Sequence, residues 1–150
     1  PHLQKLTKEN VKLLGHQPDN VVTDMLNRAK AFVYMATEDF GIAMVEAQAA
    51  GCPVIAYGKG GAAEIVRDGE TGLLFPEQTA QGLVEAVRRF EGMELKSEAA
   101  RENATRFSRG RFQREFSDYM GRLLRSGLGF DKLNPTDTAG ERRLLDHRSQ

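Results

Sequence analysis

Short apolar runs alternate with longer amphipathic stretches along the chain. Four runs of four or five residues are bounded by glycine, proline or polar residues, a pattern typical of buried strands. They are Val11–Gly15, Ala31–Met35, Pro53–Tyr57 and Gly72–Phe75. The second and third runs lack a polar–apolar alternation, which favours a sheet that is covered on both faces.

The stretches between and after these runs carry apolar residues at helical spacing. They predict helices over Asp19–Ala29, Ile42–Ala50, Gly61–Val66, Thr79–Phe90, Ser97–Phe107 and Arg109–Arg125. Strands that alternate with helices predict an α/β fold, here a Rossmann-like, doubly wound parallel sheet. We expect residues 1–125 to form part of such a domain. Residues 126–150 have few large apolar side chains, and we expect them to form a weakly ordered tail.

Charge and composition narrow the function classes. The 150 residues include 21 Lys and Arg and 21 Asp and Glu, and this zero net charge argues against a nucleic-acid partner bound by bulk charge. A single cysteine, Cys52, excludes a disulfide within the chain, and the three histidines are too far apart to suggest a metal site. The opening Pro-His-Leu-Gln resembles neither a translation start nor a signal peptide, so we expect the chain to begin inside a longer protein.

The segment Thr37–Gly51 carries the most informative chemistry. It follows a predicted strand and opens a predicted helix, where open α/β sheets bind ligands. Gly41 would let the backbone approach a ligand closely, and the amides at the helix start would attract an anion. Glu38 and Glu46 flank this helix start and could accept hydrogen bonds from ligand hydroxyls. An acidic residue near a helix start is also favourable without any ligand, so spacing alone leaves both interpretations open.

Family motifs add to this interpretation. From about Asn10 to Tyr119 the chain resembles the carboxyl-terminal, donor-binding domain of retaining GT-B glycosyltransferases of family 4. The resemblance rests on E-x-F-G-x4-E-A, G-x-P-V-I, G-G-x2-E and D-G-x-T-G-L-L, which occur in the family's order and spacing. The phrases E-D-F-G-I, A-Y-G-K-G-G and F-P-E-Q-T most resemble the mannosyltransferases of O-antigen synthesis.

The resemblance implies a site for a nucleotide-diphosphate sugar, with GDP-mannose as the expected donor and with no metal or other cofactor. Glu38 would contact the transferred sugar as the catalytic residue, and Glu46 would bind the ribose hydroxyls. The amides around Phe40, Gly41 and Ile42 would hold the diphosphate and the sugar. Gly15 and His16, in the loop after the first predicted strand, would flank the base.

The chain also departs from the family pattern. Gln48 replaces a common methionine, and Met35-Ala36 stands where a proline is usual. The family's first βαβ unit, whose Arg and Lys neutralise the donor phosphates, has no match here, and neither does the acceptor-binding amino-terminal domain. We therefore expect the intact parent to be a retaining hexosyltransferase and the 150-residue chain alone to be inactive. The parent would be cytoplasmic and could meet the inner face of the membrane through its missing part.

Several alternatives stay open at this point. The chain could be a non-catalytic remnant that binds nucleotide sugars, or part of a GT-B epimerase that acts on a sugar nucleotide. A dinucleotide oxidoreductase is disfavoured because no G-x-G-x-x-G follows a predicted strand. Gly60-Gly61 with Glu64 could contact the donor or could simply form a tight turn. Without the missing unit, Val11–Gly15 would either pair with Ala31–Met35 or stay detached and leave a sheet edge open.

Overall fold

The structure is a computed structural model that describes residues 5–126. Strands and helices alternate as far as the third strand, and helices follow. The elements are α1 (Asp19–Arg28), β1 (Phe32–Tyr34), α2 (Ile42–Ala49), β2 (Val54–Tyr57), α3 (Gly61–Ile65), β3 (Gly72–Phe75), α4 (Ala80–Glu91), α5 (Ser97–Thr105) and α6 (Arg109–Arg125). The predicted α/β fold is confirmed.

The chain divides into two compact units between Phe107 and Ser108. The first unit contains the sheet and helices α1 to α5, and the described part of the second unit contains α6. The expected boundary at residues 125 and 126 stays a prediction because residues 127–150, the bulk of the expected tail, lie outside the described residues.

The three described strands form one parallel sheet in the order β1-β2-β3. Phe32 lies beside Val54, and Val54 lies beside Gly72. Position 72 requires glycine because a Cβ there would overlap the carbonyl oxygen of Val54. The central strand β2 is buried along its whole length, as its unbroken apolar pattern predicts.

Each face of the sheet contributes to its own apolar core. Val54 and Ala56 face a cluster that includes Met44 and Ala47 of α2 and Ile65 of α3. The other face contributes Ile55, Tyr57, Leu73 and Phe75, which pack against Ala86, Leu83, Val87 and Phe90 of α4. The single cysteine, Cys52, is a buried member of the first cluster, and burial raises the pKa of its thiol.

The predicted strand Val11–Gly15 is not present. These residues form no strand, and Val11, Leu13 and Leu14 are each nearly half exposed. A short apolar run becomes a strand only when a neighbouring strand satisfies its backbone hydrogen bonds. Among the described residues β1 pairs with β2 alone, so the run has stayed detached and β1 forms an edge of the sheet.

Helix α6 is amphipathic, as its spacing predicts. Its apolar stripe includes Phe112 and Phe116, whose rings stack with centroids 5.6 Å apart, and the stripe continues to Tyr119. All three side chains are more than half exposed. Within residues 5–126, no helix combines the length and the hydropathy that crossing a membrane requires.

Candidate functional site

The predicted site loop follows β1 at the carboxyl-terminal edge of the sheet. Strand β1 ends at Tyr34, and the loop runs through Glu38 to Gly41 before α2 begins at Ile42. Because the strands are parallel, the loop after β2 emerges at the same edge. This edge is where open α/β sheets bind their ligands.

The loop after β2 holds the site loop through two glycines. The amide of Gly61 donates a hydrogen bond of 2.7 Å to the carbonyl oxygen of Glu38. A Cβ at Gly60 would overlap that carbonyl, and a Cβ at Gly61 would overlap the carbonyl of Phe40. Gly60 also has a φ of +61°, which side-chain-bearing residues rarely adopt. The glycines are therefore required for close contact between the two loops, a role that their spacing alone had left open.

Gly41 sets the start of α2. Its φ of +86° lies in the left-handed region, and no side chain caps the helix at this point. The amides of a first helical turn have no acceptor within the helix, and they carry the positive end of its dipole. The start of α2 can therefore accept an anionic group on its backbone amides.

Glu38 is exposed in the loop, four residues after the end of β1. Its carboxylate oxygen Oε1 accepts a hydrogen bond of 2.7 Å from the hydroxyl of Tyr34. This hydrogen bond, together with desolvation and the negative charge of Glu38, raises the pKa of Tyr34. The phenol therefore keeps its proton and remains a donor to the carboxylate.

Glu46 lies on the exposed face of α2. The opposite face of the helix is buried through Met44, Ala47 and Gln48. Glu46 lines a groove of about 480 Å³ between α1 and the end of α2, where Val22 and Asn27 are among the other lining residues. Carboxylate oxygens accept hydrogen bonds from hydroxyl groups, and this groove gives a ligand room to reach them.

Phe40 projects from the site loop and remains half exposed. Its ring forms a T-shaped pair with the ring of Phe107, with centroids 5.8 Å apart and planes at 71°. The guanidinium of Arg106 lies over the Phe107 ring, 5.3 Å from its centroid. The residues that follow α5 therefore support the site loop, which the sequence pattern did not indicate.

A buried polar network lies beneath α2. The side-chain amide of Asn103 donates to Oε1 of Gln48 at 2.7 Å and to the carbonyl of Ile65 at 2.6 Å. Oδ1 of Asn103 accepts a hydrogen bond from Arg106. Both amide side chains are almost completely buried. Gln48, which stands where the resembled family commonly has methionine, therefore has a buried hydrogen-bond partner in Asn103. The network links α2 to α3 and α5.

Five of the seven predicted site residues lie in the site loop and α2, and the other two precede α1. Glu38, Phe40, Gly41 and Ile42 lie in one loop and helix start, and Glu46 follows one turn later. Gly15 and His16 are exposed and do not follow a strand, so their role at the base stays a prediction without the element that was to position them. Within residues 5–126, no group of three or more His, Cys, Asp or Glu side chains could hold a metal ion.

Comparison with known proteins agrees with this geometry. Residues 2–107 match the family described as glycosyl transferases group 1, so the chain belongs to this family of the GT-B type. Among solved structures, sucrose-phosphate synthase from Thermosynechococcus elongatus superimposes with a TM-score of 0.57 and is 29% identical. That alignment covers 83% of this chain and 32% of the synthase.

Curated relatives extend the comparison to named enzymes. An exopolysaccharide phosphotransferase of Streptomyces coelicolor is 40% identical over 107 residues, which are 67% of this chain and 11% of the relative. An alpha-1,3/1,6-mannosyltransferase of Rhizomucor pusillus is 34% identical, and the match covers 57% of this chain and 20% of that enzyme. A D-inositol 3-phosphate glycosyltransferase of a Nocardioides strain is 44% identical over 35% of this chain and 11% of its own length. The chain therefore spans a fifth or less of the length of these relatives.

Proposed function

We propose that the chain is the donor-binding part of a retaining glycosyltransferase of family 4, which transfers a sugar from a nucleoside diphosphate to a glycan or lipid-linked acceptor. The observation that carries the proposal is the loop after β1, which holds the exposed Glu38 at the carboxyl edge of the sheet and leads into the uncapped start of α2, with the exposed Glu46 one turn into that helix. Membership of a glycosyltransferase family supports the same assignment.

The chemistry of the surface fits the parts of such a donor. The uncapped start of α2 offers amides at Phe40, Gly41 and Ile42 to a diphosphate. Glu46, one turn along the helix, would accept hydrogen bonds from the ribose hydroxyls in the groove beside α1. Glu38 would contact the transferred sugar, where positive charge develops as the bond to the phosphate breaks.

The proposed donor is a hexose nucleotide, GDP-mannose in the first instance. The mannosyltransferase among the relatives and the resemblance to O-antigen enzymes support mannose. In this proposal the helix start stabilises the leaving diphosphate without a metal ion, and the acceptor binds to a separate amino-terminal domain. The alternatives are a non-catalytic nucleotide-sugar-binding remnant and an epimerase. A transfer assay separates the transferase from both, and an assay for epimerised sugar nucleotide separates the epimerase from the remnant.

The first test concerns the ribose contact. In the full-length protein that contains this chain, Glu46→Gln should weaken GDP binding by roughly 1–3 kcal/mol, a range that covers an ordinary hydrogen bond and one to a charged group. Glu85→Gln is the matched control, because Glu85 is exposed on α4, which packs on the other face of the sheet. Calorimetry measures both variants, and an affinity for GDP that Glu46→Gln leaves unchanged would remove Glu46 from the site.

The second test concerns the sugar contact. Glu38→Ala should lower kcat by more than it lowers the affinity for GDP, because its contact strengthens in the transition state. Steady-state kinetics with GDP-mannose and calorimetry with GDP separate the two effects. A kcat within about a factor of two of the parent value, which corresponds to less than about 0.5 kcal/mol, would contradict the catalytic role.

A further inference from the structure

Tyr34 contacts the proposed catalytic carboxylate, and no motif points to it. It is the last residue of β1, and its hydroxyl lies 2.7 Å from Oε1 of Glu38. The Tyr34 ring stacks on the ring of Phe32, with centroids 6.1 Å apart and planes at 20°. Tyr34 also packs against the core cluster beneath α2. The Tyr34 hydroxyl, which donates the hydrogen bond to Glu38, is therefore carried by a half-buried ring that the sheet holds in position.

Glu38 itself is fixed less firmly than Tyr34. Its backbone carbonyl is held by the amide of Gly61, but its side chain is exposed on a loop. An exposed glutamate samples several rotamers, and ordering them costs conformational entropy when a ligand binds. A hydrogen bond to Oε1 restricts these rotamers and leaves Oε2 free to accept a ligand hydroxyl.

The protonation state of the phenol agrees with this role. The hydrogen bond to Glu38, followed by desolvation and the charge of Glu38, raises the pKa of Tyr34 above its ordinary value near 10. Tyr34 therefore stays protonated and donates to the carboxylate at neutral pH.

We propose that Tyr34 is a positioning residue that orients the Glu38 carboxylate toward the transferred sugar. This inference rests on the proposed function, because it gains its meaning from a sugar contact by Glu38. In this proposal the last residue of β1 contributes to sugar transfer but not to nucleotide binding.

The experiment uses the full-length protein and compares Tyr34→Phe with Tyr57→Phe. Both variants lose one phenolic hydroxyl from the last residue of a strand, but Tyr57 belongs to the core on the opposite face of the sheet. Tyr34→Phe should lower kcat with GDP-mannose about three- to tenfold, the loss expected from one hydrogen bond. It should leave the affinity for GDP and the melting temperature unchanged, and Tyr57→Phe should leave kcat unchanged.

Two further measurements show whether Tyr34 acts through Glu38. In a Glu38→Ala background, Tyr34→Phe should cause no additional loss of kcat. In calorimetry, Tyr34→Phe should reduce the ratio of the affinity for GDP-mannose to the affinity for GDP. This ratio reports the sugar contact alone, because the two ligands differ only in the sugar. The positioning role would be overturned if Tyr34→Phe left kcat undiminished, or if it lowered kcat in the Glu38→Ala background by the same factor as in the parent. If Glu38→Ala were also fully active, or if the parent neither bound GDP-mannose nor used it, the proposed function itself would fail.

Discussion

The two faces of the sheet are packed by different kinds of contact. On the α4 face, the interface consists of apolar side chains such as Leu73, Phe75 and Ala86. On the α2 face, apolar packing is joined by the buried amides of Gln48 and Asn103, which hydrogen-bond to each other and to the backbone of α3. The proposed site lies on the helix that the polar network holds.

This difference indicates what each face contributes. Apolar packing is strong but non-directional, so it stabilises α4 without requiring one orientation. Buried hydrogen bonds require defined geometry, and a missing partner leaves a desolvated polar group. The network of Gln48 and Asn103 therefore fixes the position of α2, and with it Glu46 and the amides at the start of the helix. Variants on the two faces should separate stability from donor binding.

The largest effect is expected on the α4 face. Phe75 is 2% exposed, and its ring packs against that of Tyr57. Phe75→Ala should lower the free energy of unfolding by about 3–5 kcal/mol, because it removes buried contacts and leaves a cavity. Urea unfolding of the full-length protein measures the loss, and Phe75→Leu, which leaves a smaller cavity, should cost clearly less. The folded fraction of Phe75→Leu should bind GDP with the parent affinity, and a weakened affinity would erase the distinction between the faces.

The polar network should show a smaller loss of stability and an effect on binding. Asn103→Leu deprives Gln48 and the Ile65 carbonyl of their short hydrogen bonds. The free energy of unfolding should therefore fall by about 2–3 kcal/mol. Because α2 loses its fixed position, we expect GDP affinity to fall as well. Calorimetry and urea unfolding on the same preparation measure the two effects.

A double-mutant cycle tests whether the two amides act together. Gln48→Met restores the residue type common in the family, and in the Asn103→Leu background it removes the buried amide that lacks its partner. The double variant should therefore lose about 1 kcal/mol less free energy of unfolding than the two single variants lose together. Strict additivity would show that Gln48 and Asn103 stabilise the protein independently.

The sequence was sufficient to predict those elements whose structure depends mainly on neighbouring residues in the chain. Strand β3 covers Gly72–Phe75 as predicted, because this apolar run is flanked by turn-forming residues and pairs with a buried neighbour. The same reasoning was wrong for Val11–Gly15, since a strand also needs a partner for its backbone. The placement of Glu38 and Glu46 around the start of α2 followed from their positions after a strand and within a helix.

Contacts between distant segments could not be predicted in this way. Gln48 and Asn103 are separated by 55 positions, and an amide at a helix position gives no indication of which side chain it will meet. Tyr34 was predicted to lie in a strand, but its contact with Glu38 depends on how the loop turns after β1. Gly60 and Gly61 suggested a turn, and only the structure shows that they allow two backbones to touch.

The smallest expected effect concerns the start of α4. Thr79 is its N-cap, and its hydroxyl accepts a hydrogen bond of 3.0 Å from the amide of Gly82. Thr79→Ala should lower the free energy of unfolding by about 1 kcal/mol, and Thr79→Ser should restore most of it because serine also caps helices. Neither variant should change GDP affinity, since α4 packs on the face away from α2. A change in that affinity would mean that the α4 face also sets the geometry of the site, and the separation of the two faces would then be wrong.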